Sequence, residues 1–336
     1  MRNDVVVDAF HDLFTGRRDA IGLEQGGAYR NHSTNPDWFR DQMREHLWVG
    51  RHAAIGVYPM MQRENGTDWR VKWGCIDFDE GEDESLVHAR NTQRILARFG
   101  VVGWIERSRS KGYHVWVFAQ EWVPATMMRQ ALLAACQLVG APTKEINPKQ
   151  TSLQWDEGCP EDCSARHQHY GAGWQLGNYV RLPYPRQTTE ETSDRRAVYT
   201  YDENSLAHRL TVERFATEAH ATRTPTDALE ALQDRYTPPP PLPTHTRPVD
   251  AHRPAERRLG GLAYAKWKDG PLGAVDDRSA WLWGAARELA QSELTNTEQH
   301  GFLCDMHDWW CPKWAHTPDR GRLQLERMVH KANGGQ

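Results

Sequence analysis

The sequence lacks any long apolar run. No window approaches the roughly 18 consecutive apolar residues that a membrane-spanning helix needs. The first residues, MRNDVVVDAFHDLF, also lack the apolar core of a secretion signal. We therefore expect a cytoplasmic protein with no membrane partner, in which the six cysteines are thiols or metal ligands and not disulfides.

The sequence also lacks an excess of basic residues and is short of apolar ones. Its net charge of −4 argues against a protein that coats nucleic acid without specificity, because such proteins are usually basic. Apolar residues make up only 39% of the chain, but 15 tryptophans partly offset this shortage. At 336 residues, the chain is long enough for two domains that each bury a core.

A proline-rich run, TPPPPLPTHTRP, marks the clearest domain boundary. Proline fixes φ and has no amide donor, so this run is typical of an extended tether. We predict a first domain over residues 1–215, a Pro-rich linker over 216–254 and a second domain over 255–336. The first mixes strand and helix patterns and is predicted to be an α+β domain. The second has three short helical patterns and is predicted to be an all-α helical bundle.

Secondary structure in the first domain follows from local patterns. Apolar residues at helical spacing predict a helix over residues 84–100 that ends at Gly100, and a second helix begins near Pro124 and ends near Gly140. Strands are predicted at AAIGVYPM, WRVKWGCIDF, GWIERS, GYHVWVFAQ, KEIN and NYVRLP.

Two carboxylates lie close together in CIDFDEGE, at the end of a predicted strand. Asp77 and Asp79 are two residues apart and would project from the same face, whereas Ile76 and Phe78 face the other way. Like charges held this close repel each other. Either the strand ends here and both side chains are solvated, or a cation lies between them.

A second polar cluster, SRSKGYH, precedes an apolar strand. Ser108, Ser110 and Lys111 in a glycine-containing turn can offer hydroxyls, backbone amides and an ammonium group to a phosphate. His114 follows at the start of the strand, on the face opposite Val115. Alone, a histidine in a strand is more often structural than functional.

Two later segments carry further polar candidates. KEINPKQ places Glu145 at the start of a short strand and Lys149 after a proline turn, and GNYVRLPYP places Asn178 and Arg181 on another strand. Taken singly, each of these residues is more simply a solvated surface group. The order of the four segments along the chain is what favours a shared function.

That order of motifs resembles the archaeo-eukaryotic primase superfamily, and within it the primase-polymerases of phages, plasmids and mobile elements. The resemblance covers roughly residues 45–190 and implies a catalytic domain with an RRM-like mixed sheet, followed by a small helical bundle. It also implies roles for residues in this sequence. Asp77, Asp79 and a third acid bind the metal; His114, Ser108, Ser110 and Lys111 hold a triphosphate; and Lys149, Asn178 and Arg181 contact the nucleotide. The third acid is usually Asp in this family; here Glu145 is the best-placed residue and Asp156 is the alternative.

The resemblance implies a DNA-directed primase-polymerase that makes and extends primers on single-stranded DNA in phage or plasmid replication. Mg²⁺ or Mn²⁺ would be its cofactor, NTPs or dNTPs its substrates, and a replicative helicase, in the same or another chain, a possible partner. Three alternatives remain open: a gap-filling or end-joining repair polymerase of the same superfamily, a metal-dependent nuclease, and a catalytically silent nucleic-acid-binding module.

A possible zinc site lies in CPEDCSARHQH. Its Cys159, Cys163, His167 and His169 are four ligands within eleven residues, which is enough to close a tetrahedral site. Their spacing is not one of the common zinc-finger patterns, so cysteines and histidines in a metal-free loop remain a fair alternative.

Overall fold

A computed structural model of the chain describes residues 2–31, 34–48, 54–62, 68–153, 155–156, 173–174, 176–186, 195–201, 207–238, 253–271, 278–310 and 318–334. It divides into two compact units, residues 1–238 and 239–336. Each unit is described here by itself.

The first unit is an α+β fold, which confirms the predicted fold class. Its helices are α1 (Arg2–Leu13), α2 (Trp38–Leu47), α3 (Glu82–Arg98), α4 (Ala125–Val139), α5 (Val212–Ala221) and α6 (Thr226–Gln233). Its longer strands are β1 (Ala20–Leu23), β5 (Trp69–Phe78), β6 (Gly103–Arg107), β7 (Tyr113–Pro124) and β12 (Ala197–Tyr201). Its shorter strands are β2 (Ala28–Arg30), β3 (Ile55–Val57), β4 (Met61–Gln62), β8 (Ile146–Asn147), β9 (Trp155–Asp156), β10 (Gly173–Trp174), β11 (Val180–Arg181) and β13 (Ala207–Arg209).

Two sheets position the functional residues. The large sheet has seven strands in the order β13-β12-β6-β7-β5-β4, with β8 also paired to β5. The small sheet has four strands in the order β11-β3-β1-β2. Strands β9 and β10 form a separate pair. All pairings between these named strands are antiparallel.

The large sheet is buried on both faces, because successive side chains of its central strands enter two different hydrophobic cores in turn. On β5, Ile76 and Phe78 enter one core, whereas Trp73 and Cys75 enter the other. The same alternation on β7 separates Val115 from Trp116, as predicted. The polar residues at the ends of these strands therefore keep the sidedness that the apolar residues impose.

Helices cover the two faces unequally. Helices α3, α4 and α6 pack on the face of Ile76 and Phe78, through residues that include Leu96, Leu132 and Leu229. The other face packs against α1, α2, α5 and the small sheet, in a core of large aromatic residues: Phe10, Phe14, Trp73, Trp116, Phe118 and Phe215. No helix in the described part of the chain is long and apolar enough to cross a membrane.

Several predicted element boundaries are confirmed. Helix α4 starts after Pro124 and ends at Gly140, which has φ of 65°. Gly100, which follows α3, has φ of 75°. Both glycines adopt the left-handed conformation that terminates helices and that other residues adopt at a cost.

The first unit extends further than the predicted boundary at residue 215. The segment after it was predicted to be linker, but α5 and α6 bury Phe215, Leu229 and Leu232 in the two cores. The chain between these helices also joins the large sheet, because the Thr224 amide donates to the Phe118 carbonyl over 2.7 Å. Helices α5 and α6 contribute few apolar residues, which explains why the sequence of this segment shows no core of its own.

The second unit is helical, as predicted. The three predicted helices are α8 (Arg278–Leu289), α9 (Asn296–Trp310) and α10 (Pro318–Ala332), and a further helix, α7 (Gly261–Asp269), precedes them. A capping box opens α9: the Thr295 amide donates to the Glu298 carboxylate over 2.8 Å, and the Glu298 amide donates to the Thr295 hydroxyl over 3.3 Å.

His46 is a buried histidine that ties α2 to the small sheet. Its Nε2 donates to the Pro183 carbonyl over 2.7 Å, and its Nδ1 accepts from the Ile55 amide over 3.2 Å. Burial lowers the pKa of His46 to about 3. The neutral ring therefore stabilises the fold above the pKa of the unfolded chain, about 6.5, and this stabilisation is lost as pH falls from there towards 3.

We expect His46→Ala to lower the free energy of unfolding at pH 7 by about 2–4 kcal/mol, because it leaves a buried carbonyl and a buried amide without their partner. The variant should also lose less stability than the wild type between pH 7 and pH 5, because it has no buried imidazole to protonate. Urea unfolding followed by circular dichroism at both pH values measures this. His208→Ala, at an exposed side chain, is the control. Equal pH dependence in wild type and variant would contradict this account.

Candidate active site

A cavity of about 670 Å³ lies in the first unit, lined by residues of both sheets. Its size is within the usual range of small-molecule sites. Nine of the predicted site residues line it: Asp77, Asp79, Ser108, Ser110, His114, Glu145, Lys149, Asn178 and Arg181. Residues more than 100 positions apart in the sequence are thus brought together.

The carboxylates gather at one end of β5. Because β8 pairs with β5, the Asp77 amide donates to the Glu145 carbonyl over 2.9 Å, and Glu145 lies beside Asp77. Asp79 follows the end of the strand, and its exposed carboxylate has no hydrogen-bond or ion-pair partner within the described residues. Asp156, the alternative third acid, lies in β9, and its side chain is outside the described part of the structure. The backbone pairing favours Glu145.

His114 lies between two carboxylates from the neighbouring strands. It pairs across the sheet with Asp77 on one side and with Glu106 on the other. Its Nδ1 donates to the buried Glu106 carboxylate over 2.9 Å, and its Nε2 lies 3.6 Å from Oδ1 of Asp77. Glu106 also accepts from the Trp116 indole over 2.7 Å. The imidazole ring therefore lies between carboxylates of the two neighbouring strands, and Trp116 holds the Glu106 carboxylate in place.

These contacts set the protonation of the site. Burial alone would lower the pKa of His114, but the Glu106 and Asp77 carboxylates outweigh it and raise the pKa to about 10. Burial also opposes ionisation of Asp77, but His114, Lys149 and Arg181 together lower its pKa. At neutral pH the site therefore holds an imidazolium ion beside an ionised aspartate.

The serine turn lies against the end of β5. The Ser108 amide donates to the Gly112 carbonyl over 2.9 Å, and the Gly112 amide donates to the Ser108 hydroxyl over 3.2 Å. A Cβ on Gly112 would lie 2.1 Å from the Phe78 carbonyl oxygen, so only glycine fits at this position. Lys111 is exposed and does not line the cavity, whereas Arg109 does. Among the described residues, Arg109 is thus the cation that this turn offers to the cavity.

The remaining basic groups line the cavity from other segments. Lys149 forms an ion pair with Glu145, and the Asn178 side chain accepts a hydrogen bond from Gln150. Arg181 donates to the backbone carbonyl of Glu24 over 2.9 Å.

Arg196 is a buried cation of the cavity wall. It donates to the Leu182 carbonyl over 2.6 Å and lies 3.4 Å from the Glu24 carboxylate. Burial lowers its pKa from the usual arginine value. Within the cavity, carboxylates thus lie close to several cations.

The residues present fit a divalent cation in part. Carboxylate oxygens are the ligands that Mg²⁺ and Mn²⁺ prefer, and Asp79 is free of other partners among the described residues. Glu145, however, is paired with Lys149, and Asp77 lies near His114. No group of three or more His, Cys, Asp or Glu side chains in the described ranges has the arrangement of a metal site. Lys149 thus competes with a cation for Oε2 of Glu145.

Comparison with known families decides the class of the protein. Residues 27–205 match the family model described as "TOTE conflict system, Archaeo-Eukaryotic Primase domain". The chain belongs to the archaeo-eukaryotic primase family. The match confirms the resemblance predicted from the motifs, and the range it covers includes residues 45–190. A search of curated proteins finds no match.

Membership makes this chain a primase-like nucleotidyltransferase by family, with nucleic acid and nucleotides as the substrates that such a domain implies. The family description refers to conflict systems, so the predicted role in phage or plasmid replication stays a prediction. The predicted zinc ligands Cys159, Cys163, His167 and His169 lie outside the described residues, and that site also stays a prediction.

The lining residues of this primase-family domain that sequence reasoning did not predict include three charged residues and a tyrosine: Glu106, Arg109, Arg196 and Tyr179. Glu106 could have been found from the sequence, because pairing the predicted strands GWIERS and GYHVWVF places it opposite His114. Arg109 lies inside SRSKGYH, the turn that is predicted to bind phosphate. No sequence pattern indicated Arg196, because it reaches the cavity from a segment that contains no motif.

We expect Glu106→Gln to lower the pKa of His114 from about 10 towards the ordinary histidine value near 6.5, because it removes the buried negative charge on Nδ1. The wild-type pairing stabilises the fold below pH 6.5 and loses that contribution as pH rises through about 10. NMR titration of the imidazole protons measures the shift. Glu121→Gln, at an exposed position on β7, should leave the titration unchanged. An unaltered His114 titration in Glu106→Gln would contradict the assignment.

Proposed function

We propose that this chain is a DNA-directed primase-polymerase that synthesises and extends primers on single-stranded DNA. The observation that supports this most directly is the meeting of Asp77, Asp79 and Glu145 with His114, Arg181 and Lys149 in one cavity of a primase-family domain. Nucleotidyl transfer joins a 3′-hydroxyl to an α-phosphate and expels pyrophosphate, so it needs groups for cations and groups for phosphates side by side.

In this proposal the carboxylates bind Mg²⁺ or Mn²⁺. Asp77, Asp79 and Glu145 are the residues that would hold the cation, with Glu145 released from its ion pair with Lys149. Divalent cations supply two things when bound: they lower the pKa of the attacking hydroxyl and neutralise the charge that develops on the leaving pyrophosphate. Because Lys149 and Glu145 are already ion-paired, a triphosphate that attracts Lys149 would free the carboxylate at the same time.

The cations hold the triphosphate. His114 carries a positive charge because Glu106 and Asp77 flank it. Glu106 holds its Nδ1, so Nε2, which lies 3.6 Å from Oδ1 of Asp77, is the charged donor that it would offer to a phosphate. Arg109 and Arg181 are further donors from the two sheets. Ser108, Ser110 and Asn178 add neutral donors. Lys111 is exposed and is not among the lining residues, and its contact with the triphosphate stays a prediction.

The candidate activities differ in their products on a single-stranded template. A primase needs no primer, a repair polymerase needs one, and a nuclease shortens the template. Incubation with single-stranded DNA, Mg²⁺ or Mn²⁺ and mixed NTPs and dNTPs, with and without a primer, separates them. New oligonucleotide without primer supports the proposal. Extension of a primer only indicates a gap-filling or end-joining polymerase, shortening of the template indicates a nuclease, and no change indicates a binding module. The same assay with added helicase tests the predicted helicase partner.

We expect Asp77→Asn and Asp79→Asn each to reduce primer synthesis by at least about 100-fold, because each removes a charge that would bind a cation at the reacting phosphate. Thermal unfolding should change little for Asp79→Asn, whose side chain is exposed. Asp83→Asn, an exposed aspartate at the start of α3, is the matched control and should keep full synthesis. Synthesis at wild-type rate by Asp79→Asn would count against the assigned metal role.

The CPEDCSARHQH segment, which lies between Glu145 and Arg181 in the sequence, remains a proposed zinc site. We expect purified protein to contain about one zinc per chain by elemental analysis, and Cys159→Ser with Cys163→Ser to lose it. Protein purified without zinc at that level would end this part of the proposal and leave the rest unaffected.

A further inference from the structure

Tyr179 lies over a pair of glycines on the small sheet. Gly22 of β1 and Gly56 of β3 are direct partners across the two strands. A Cβ on Gly22 would lie 2.3 Å from Cγ and Cδ2 of the Tyr179 ring, and a Cβ on Gly56 would lie 2.2 Å from Cδ2. Any side chain at either position would displace the ring, so the two glycines form a flat seat for it.

Two further contacts fix the ring in this seat. The Tyr179 hydroxyl donates to the Leu23 carbonyl over 2.9 Å. The ring of Tyr58, itself buried, packs against Tyr179 at 5.5 Å between centroids with an interplanar angle of 69°. The hydrogen-bonding capacity of the hydroxyl is thus used within the small sheet. What the ring offers to the cavity is an aromatic surface.

Tyr179 lies beside a phosphate-binding candidate. Arg181 is two residues further along the chain and pairs directly with Gly56, and the intervening Val180 is buried in the core. Alternation therefore places Tyr179 and Arg181 on the same side of the sheet, roughly 7 Å apart along an extended chain. Both line the cavity that holds the carboxylates. Tyr179 and Arg181 are thus neighbours in the lining of one cavity.

We propose that Tyr179 is the stacking platform for the base of the nucleotide whose phosphates Arg181 contacts. This rests on the proposed nucleotidyl-transfer function and adds a residue that recognises the base. Stacking on an aromatic ring suits a polymerase because every base has an aromatic face, so the platform works with all four nucleotides. A ring that is already fixed loses no side-chain freedom when the base arrives.

The test compares a ligand that has a base with one that has none. The affinity of the full chain for dATP and for inorganic tripolyphosphate, each with Mg²⁺, is measured by calorimetry for the wild type and for Tyr179→Leu, Tyr179→Ala and Gly56→Ala. Tyr179→Leu keeps an apolar side chain against the glycine seat and guards against loss of folding, which circular dichroism checks. Tyr179→Phe keeps the stacking ring, and Tyr236→Ala, outside the cavity lining, is the control.

We expect Tyr179→Leu and Tyr179→Ala to bind dATP roughly 5- to 100-fold more weakly, the range for loss of one stacked base, and to bind tripolyphosphate as the wild type does. Gly56→Ala should also weaken dATP binding, because its Cβ would displace the ring. Tyr179→Phe and Tyr236→Ala should stay within about threefold of the wild type.

Equal loss of dATP and tripolyphosphate affinity, or no loss of either, overturns the assignment, as does a wild type that binds the two ligands equally well. These outcomes are separate from the proposed function. A wild type that binds dATP through Tyr179 and makes no oligonucleotide would refute the polymerase and keep the platform. A chain that makes primers and binds dATP equally well with Leu at position 179 would refute only the platform.

Discussion

The pairing of β5 with β7 on one side and with β8 on the other is the constraint on which the site depends. It sets Asp77 opposite His114 and beside Glu145, three residues that the sequence separates by up to 68 positions. A slip of one residue in either pairing would turn the polar side chain to the opposite face of the sheet. Burial of Ile76 and Phe78 on one face, and of Trp73 and Cys75 on the other, prevents such a slip. The two hydrophobic cores therefore fix the register of the site residues as well as the fold.

Charge balance within the cavity follows from that register. Glu145 has Lys149 as its partner, and Asp77 and Glu106 have His114 between them. Buried or half-buried charges are tolerated because each has a counter-charge within hydrogen-bonding distance or close to it. In the described residues Asp79 has no such counter-charge and lies where solvent reaches it, and Arg181 contacts the Glu24 backbone carbonyl instead. In the proposed reaction, metal ions would pair with the carboxylates and the triphosphate with the cations. The internal ion pairs would thus be replaced while the net charge of the site changed little.

Much of this arrangement could be predicted from the sequence. Strand β5 and helices α3 and α4 have strong periodicity and clear end signals, and the acids, the serine turn and His114 stand beside them. What the sequence could not show is pairing between distant segments. Glu106 is an ordinary strand residue until β6 is placed next to β7, and Arg196 comes from a segment with no pattern. Tyr179 resembles any strand tyrosine until two glycines from other strands are found beneath it. Helices α5 and α6 are short, and the cores they complete belong to other elements.

The contact of the α5–α6 connection with β7 has a consequence for the size of the first unit. The Thr224 amide donates to Phe118, the Gln120 amide donates to the Thr224 carbonyl, and the Thr224 hydroxyl accepts from the Val102 amide. A fragment that stopped at residue 205, where the family match ends, would leave these backbone groups unsatisfied and strip α5 and α6 from both cores. The compact unit is therefore longer than the range of the family match and extends to Pro238, where the proline run begins.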